Sequence, residues 1–176
     1  MDENLGMDWP VKAEKPPALS SAHWAWISLI GLTLASMALA QLVSFSSFTG
    51  TFEAEGLHPA KFWGALVVAA ELWGAAGFFK ISLSRGFRKI SNFMALLAGG
   101  FWAFEAFRLA SQTVYVEVLI NNHYRAPGLG FFGGYLYQLP GFAGVVEAVV
   151  LILLIISALQ VMEAGAKVTS TKRKRR

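Results

Sequence analysis

The chain has 176 residues, 55% of them hydrophobic and 15% charged, with a net charge of +4 and no cysteine. Charge averages nearer a quarter of a soluble domain, so this balance excludes an ordinary water-soluble fold and points to membrane spans. Without cysteine there are no disulfides, thiol nucleophiles or cysteine-ligated metal centres, and histidines at 23, 58 and 123 form no metal motif.

Residues 1–21 are polar and broken by Pro10, Pro16 and Pro17, which predicts a tail lying on the membrane surface. Ser20 and Ser21 are placed to cap a first span over 22–48, with Trp24 and Trp26 at its mouth. A cleavable leader ending near Ala38-Leu39-Ala40 competes with this span, but it would be long and acid-bearing. Residues 49–59 predict a short polar loop carrying Glu53, Glu55 and His58. A second span over 60–83 is apolar on both sides of Glu71, which places that carboxylate near the bilayer midplane. After the basic Ser82–Lys89 turn, a third span covers 90–112, softened by Gly99-Gly100 and interrupted by Glu105 and Arg108. Val114 to Ile120 could extend that helix, lie along the interface or form a short strand. A loop of glycines and aromatics follows over 127–137, and Pro140 heads a fourth span over 141–162. Gly165 is expected to stop that helix and release a basic tail over 163–176.

Lysine and arginine fall unevenly about these spans. Two lie in the N-terminal tail, four at 80–89 and six in the C-terminal tail, against Lys61, Arg108 and Arg125 elsewhere. The positive-inside rule then puts both termini and the middle turn in the cytoplasm. The expected fold is all-α: a polytopic membrane protein whose four spans form one antiparallel bundle over 22–162.

Polar residues inside spans avoid lipid and seek one another, so Gln41, Glu71, Glu105, Arg108 and Glu147 are expected to converge in the bundle. Glu71 has Gly74 and Ala75 beside it, and Glu147 has Gly144 and Ala148, small residues that let a neighbouring helix approach. Arg108 can pair with Glu105 on its own helix or with Glu147 across the interface. The cluster reads as a proton relay, a cation site or a polar ligand pocket, and more plainly as a hydrogen-bond network that fixes helix register. In the 127–141 loop, Phe131, Phe132, Tyr135 and Tyr137 are candidates for contact with a lipid or quinone, or for an interfacial belt. The C-terminal tail suits anionic lipid, and its Lys172-x-Lys174-x-x ending also resembles an endoplasmic-reticulum retrieval signal.

Phe45 and Phe48 at the end of the first span, the Gly56-Leu57-His58-Pro59 loop and Ala70-Glu71-Leu72 resemble the pattern of DoxX/MauE-type small membrane proteins over residues 42–77. That resemblance implies four short spans with cytoplasmic termini and an association with redox or maturation partners. No nucleophile–base pair or metal cluster is visible, so no catalytic residue, metal or cofactor is assigned. The expected role is a non-catalytic accessory or scaffold subunit of a larger membrane complex. Its partners would be membrane lipids and other subunits or further copies of itself, with no nucleic acid. A bacterial cytoplasmic membrane is the expected location, the endoplasmic reticulum the alternative. A proton, cation or small-solute carrier centred on Glu71 is the alternative function.

Overall fold

Apolar side chains recurring at intervals of three and four residues bury one stripe of each long helix, and that stripe organises the molecule. In the computed structural model, which describes residues 13, 15–54, 56–111, 118–120, 123–125 and 142–174, the helices are α1 (Ser21–Val43), α2 (Phe45–Ala54), α3 (Ala60–Ala76), α4 (Arg85–Ser111) and α5 (Phe142–Lys174). A short antiparallel hairpin, β1 (Val118–Ile120) with β2 (His123–Arg125), sets Leu119 opposite Tyr124. Of the open readings of 114–120, the strand therefore holds for its last three residues.

The buried face of α1 runs through Trp24, Ile27, Gly31, Leu34, Ala38 and Gln41, with Ile30 and Met37 beside it, and that of α3 through Ala60, Gly64, Val67, Glu71 and Gly74, with Val68, Ala70 and Ala75 beside it. In α4 it is Ser91, Ala95, Ala98, Trp102 and Glu105; in α5 it runs through Gly144, Ala148, Leu151, Ile155, Ala158 and Met162. These positions recur every three or four residues, so they fall on one face of each helix. Small residues recur in these stripes because, in a membrane, helices associate through close backbone approach. A side chain on Gly74 would put its Cβ 2.8 Å from the backbone N and Cα of Ala95, so α3 and α4 nearly touch there. The helices pack in the order α1, α3, α4, α5. α1 also touches α5, and Leu19, just ahead of α1, lies on Gly165 of α5.

Three boundaries differ from the sequence expectation. The first span is broken at Ser44, whose hydroxyl donates to the Ala40 carbonyl at 2.8 Å, a back-bond that bends helices. The chain then continues helically as α2 through most of the expected 49–59 loop, because Phe48, Thr49 and Phe52 are buried. Gly31 faces Phe78, Gln41 binds Glu71 and Thr49 abuts Gly64, so α1 and α2 form one bent rod antiparallel to α3. Second, α3 stops at Ala76 instead of reaching 83. Its last carbonyls find partners there: the Ser91 hydroxyl of α4 is shared between Trp73 O at 2.6 Å and Gly74 O at 3.1 Å. Third, α5 passes through Gly165 and continues to Lys174. Gly165 is a contact position, since a Cβ on it would fall 2.5 Å from Leu19 Cδ2, and among the described residues the one glycine with positive φ is Gly56. The expected cap of α1 forms as read, with the backbone N–H of His23 donating to Ser20 Oγ at 3.3 Å.

Candidate functional site: a polar knot in the helix seam

Glu71 lies on the buried stripe of α3 between α1 and α4 and is fully enclosed, with 0% exposure. Its Oε1 accepts two hydrogen bonds, from the Trp102 indole N–H at 2.6 Å and from Gln41 Nε2 at 3.2 Å. One carboxyl group therefore ties together three helices. Its Oε2 is buried with no hydrogen-bond partner among the described residues. An aromatic wall stands beside the knot: Phe48 and Phe52 have ring centroids 4.7 Å apart, and each lies 6.3 Å from the Trp102 ring. Phe101 adds an edge contact to Phe52 at 5.7 Å and to Trp102 at 5.3 Å.

One turn beyond Trp102 on α4, Glu105 is also buried, at 1% exposure. Arg108 grips its Oε2 with Nε at 2.9 Å and Nη2 at 2.7 Å, a charge-assisted pair within one helix face. The Arg108 side chain keeps 21% exposure, so this pair reaches from the seam to the protein surface.

Four of the five residues expected to converge thus lie in two adjacent pairs, Gln41 with Glu71 and Glu105 with Arg108. The fifth does not join them. Glu147 is exposed, because the buried stripe of α5 is phased on Gly144, Ala148 and Leu151 and leaves position 147 on its flank. Of the two partners open to Arg108, Glu105 is the one it takes. Phe131, Phe132, Tyr135 and Tyr137 lie outside the described residues. Trp102 was missed in the sequence, although a signal was present. An indole in the middle of an apolar span, three residues before an acid, needs a hydrogen-bond acceptor when buried.

Removing Arg108 would leave Glu105 in the seam without its cation. Arg108→Leu is expected to cost roughly 2–4 kcal/mol, the lower side of the range for buried pairs because the guanidinium is partly solvated. Thermal melting in detergent reads this, and adding Glu105→Gln should recover much of the loss. A double variant no more stable than Arg108→Leu alone would show that the stranded carboxylate is not the cause.

Among the described residues, α1, α4 and α5 are apolar and long enough to cross a membrane, and no three His, Asp or Glu side chains converge on a metal-sized site. The class is therefore a helical protein with three candidate membrane-spanning helices. Comparison with family models, curated proteins and solved structures gives no match, and the functional reading rests on the geometry of the seam.

Proposed function

We propose that this chain is a small integral membrane protein serving as a non-catalytic accessory or scaffold subunit of a larger membrane assembly. The observation that carries the reading is how polarity is distributed. Glu71 and Glu105 are sealed in the seam at 0% and 1% exposure, whereas Leu39, Phe104, Phe107 and Leu153 stand 57–68% exposed on the outer faces of α1, α4 and α5. A carboxyl held by two donors from two other helices fixes register, as expected of a structural part. The outward aromatic and aliphatic faces suit lipid and neighbouring subunits. In this reading α3 is a fourth, shorter crossing: its 17 residues rise about 25 Å, and residues 77–79 carry the chain to the interface before Lys80. The cations at 80–89 and in both tails favour placing those segments in the cytoplasm. The resemblance to DoxX/MauE-type proteins adds a redox association to the proposal.

The test is the state of the full chain taken from native membranes in mild detergent. Co-migration with defined neighbours is the expected result. A chain that runs as a monomer, and that captures no neighbour on cross-linking in the membrane, overturns the subunit reading.

The bare Oε2 of Glu71 favours a second reading, a proton or cation carrier centred on that acid. Glu71→Gln keeps the size and both neighbours while removing the acid, so carrier activity in proteoliposomes should disappear. Transport that persists in that variant would rule the carrier out.

A further inference from the structure

Between Glu71 and Glu105 the chain carries no acid, and the cations of that interval, Lys80, Arg85, Arg88 and Lys89, gather at the turn into α4. Arg85 and Lys89 are exposed on the first turns of the helix. The turn is held against that helix start. Arg88 Nη2 donates to the Ile81 carbonyl at 3.2 Å, the Phe87 N–H donates to Ser84 Oγ at 3.1 Å, and Lys80 stands exposed just before Ile81. Phe93 follows Lys89 by four residues and Leu96 comes three later, so Arg85, Lys89, Phe93 and Leu96 run along one face. Phe93 is 57% exposed, Leu96 37% and the adjoining Leu97 46%. α4 packs on α3 and α5 through its other side, where Ser91, Ala95, Ala98 and Trp102 are buried. The free face therefore runs from cations at the boundary of the apolar stretch Arg85–Arg108 to a ring and aliphatic groups deeper within it.

That order of charge and grease matches one class of ligand. A hydrocarbon chain alone leaves the cations unmatched, and a zwitterionic lipid brings a cation of its own. An acidic protein segment would answer the charges and leave the apolar half of the face unused. We infer that this face of α4 binds an anionic phospholipid, with the phosphate held by Arg85 and Lys89 beside Lys80, and an acyl chain lying on Phe93, Leu96 and Leu97. The Lys89 stem can run along apolar surface while its ammonium reaches the headgroup level. The inference rests on the membrane placement proposed above and is independent of the subunit and carrier roles.

The test uses the full chain in vesicles of equal parts phosphatidylcholine and phosphatidylglycerol, with a photoactivatable acyl chain on a trace of one lipid or the other. Labelled residues are mapped by mass spectrometry, and Leu32 on the exposed face of α1 serves as the control. At 93–97 the phosphatidylglycerol probe should label roughly fivefold more than the phosphatidylcholine probe, or better, since each basic residue near an anionic surface contributes about that factor. Around Leu32 the two probes should label alike. Joint substitution of Arg85→Gln and Lys89→Gln should abolish the preference at 93–97 and leave labelling at Leu32 unchanged. Equal labelling by both probes at 93–97 would overturn the inference, as would a preference that survives the double substitution. A preference lost only on removing residues 172–176 would assign it to the basic tail and overturn it too. So would an acidic protein captured in native membranes by a benzophenone at Phe93. No labelling at either place would refute the membrane placement itself.

Discussion

Trp102→Ala is expected to be the most damaging single substitution in the seam. The side chain is fully buried, so its loss opens a cavity worth about 3–5 kcal/mol. It also removes the indole N–H that donates to Glu71 at 2.6 Å, and a buried acceptor deprived of its donor adds roughly 1–3 kcal/mol. Trp102→Phe separates the two effects, since it keeps most of the volume and removes the donor. That variant should lose the smaller amount in thermal melts of detergent-purified protein. Adding Glu71→Leu should restore part of the loss, because removing both ends of a buried polar pair costs less than removing one. Trp102→Phe melting with the parent protein would mean that the indole contributes by shape alone.

The second large effect is expected at a glycine. Gly74→Ala would place a Cβ 2.8 Å from the Ala95 backbone, and a backbone cannot swing away as a side-chain tip can. The two helices must separate, at a cost of about 1–3 kcal/mol for alanine and more for Gly74→Val. Gly100 on α4 gives the control, as nothing lies within 4 Å of its virtual Cβ. Gly100→Ala should be neutral or stabilising by up to about 1 kcal/mol, the ordinary gain of alanine over glycine in a helix. Equal melting temperatures for the two alanine variants would show that α3 and α4 are not in backbone contact at Gly74.

Both substitutions act on the buried stripes, and those stripes are only half legible in the sequence. The small residues beside Glu71 and Glu147 were visible in the sequence as places of close approach. Which of their neighbours faces inward was not visible, because an apolar helix in lipid lacks the polar outer face that reveals the phase of a soluble one.

What the sequence determined alone was the material and its polarity: long apolar helices, polar residues set within them, and cations gathered at 80–89 and the tails. These follow from local composition, which backbone hydrogen bonding and the avoidance of charge in hydrocarbon translate directly into helices. Only the tertiary structure decided where the helices end and which acids are enclosed. Ser91 terminates α3 by reaching its carbonyls from another helix, and Leu19 makes Gly165 a contact point inside α5. Glu71 and Glu147 each have a glycine and an alanine nearby and meet opposite fates. One falls on the buried stripe and is held by Trp102 and Gln41, while the other falls one position off it and stands exposed. A step of one residue turns a side chain by about 100° around a helix, and the phase that gives this turn its meaning is set by the neighbouring helices.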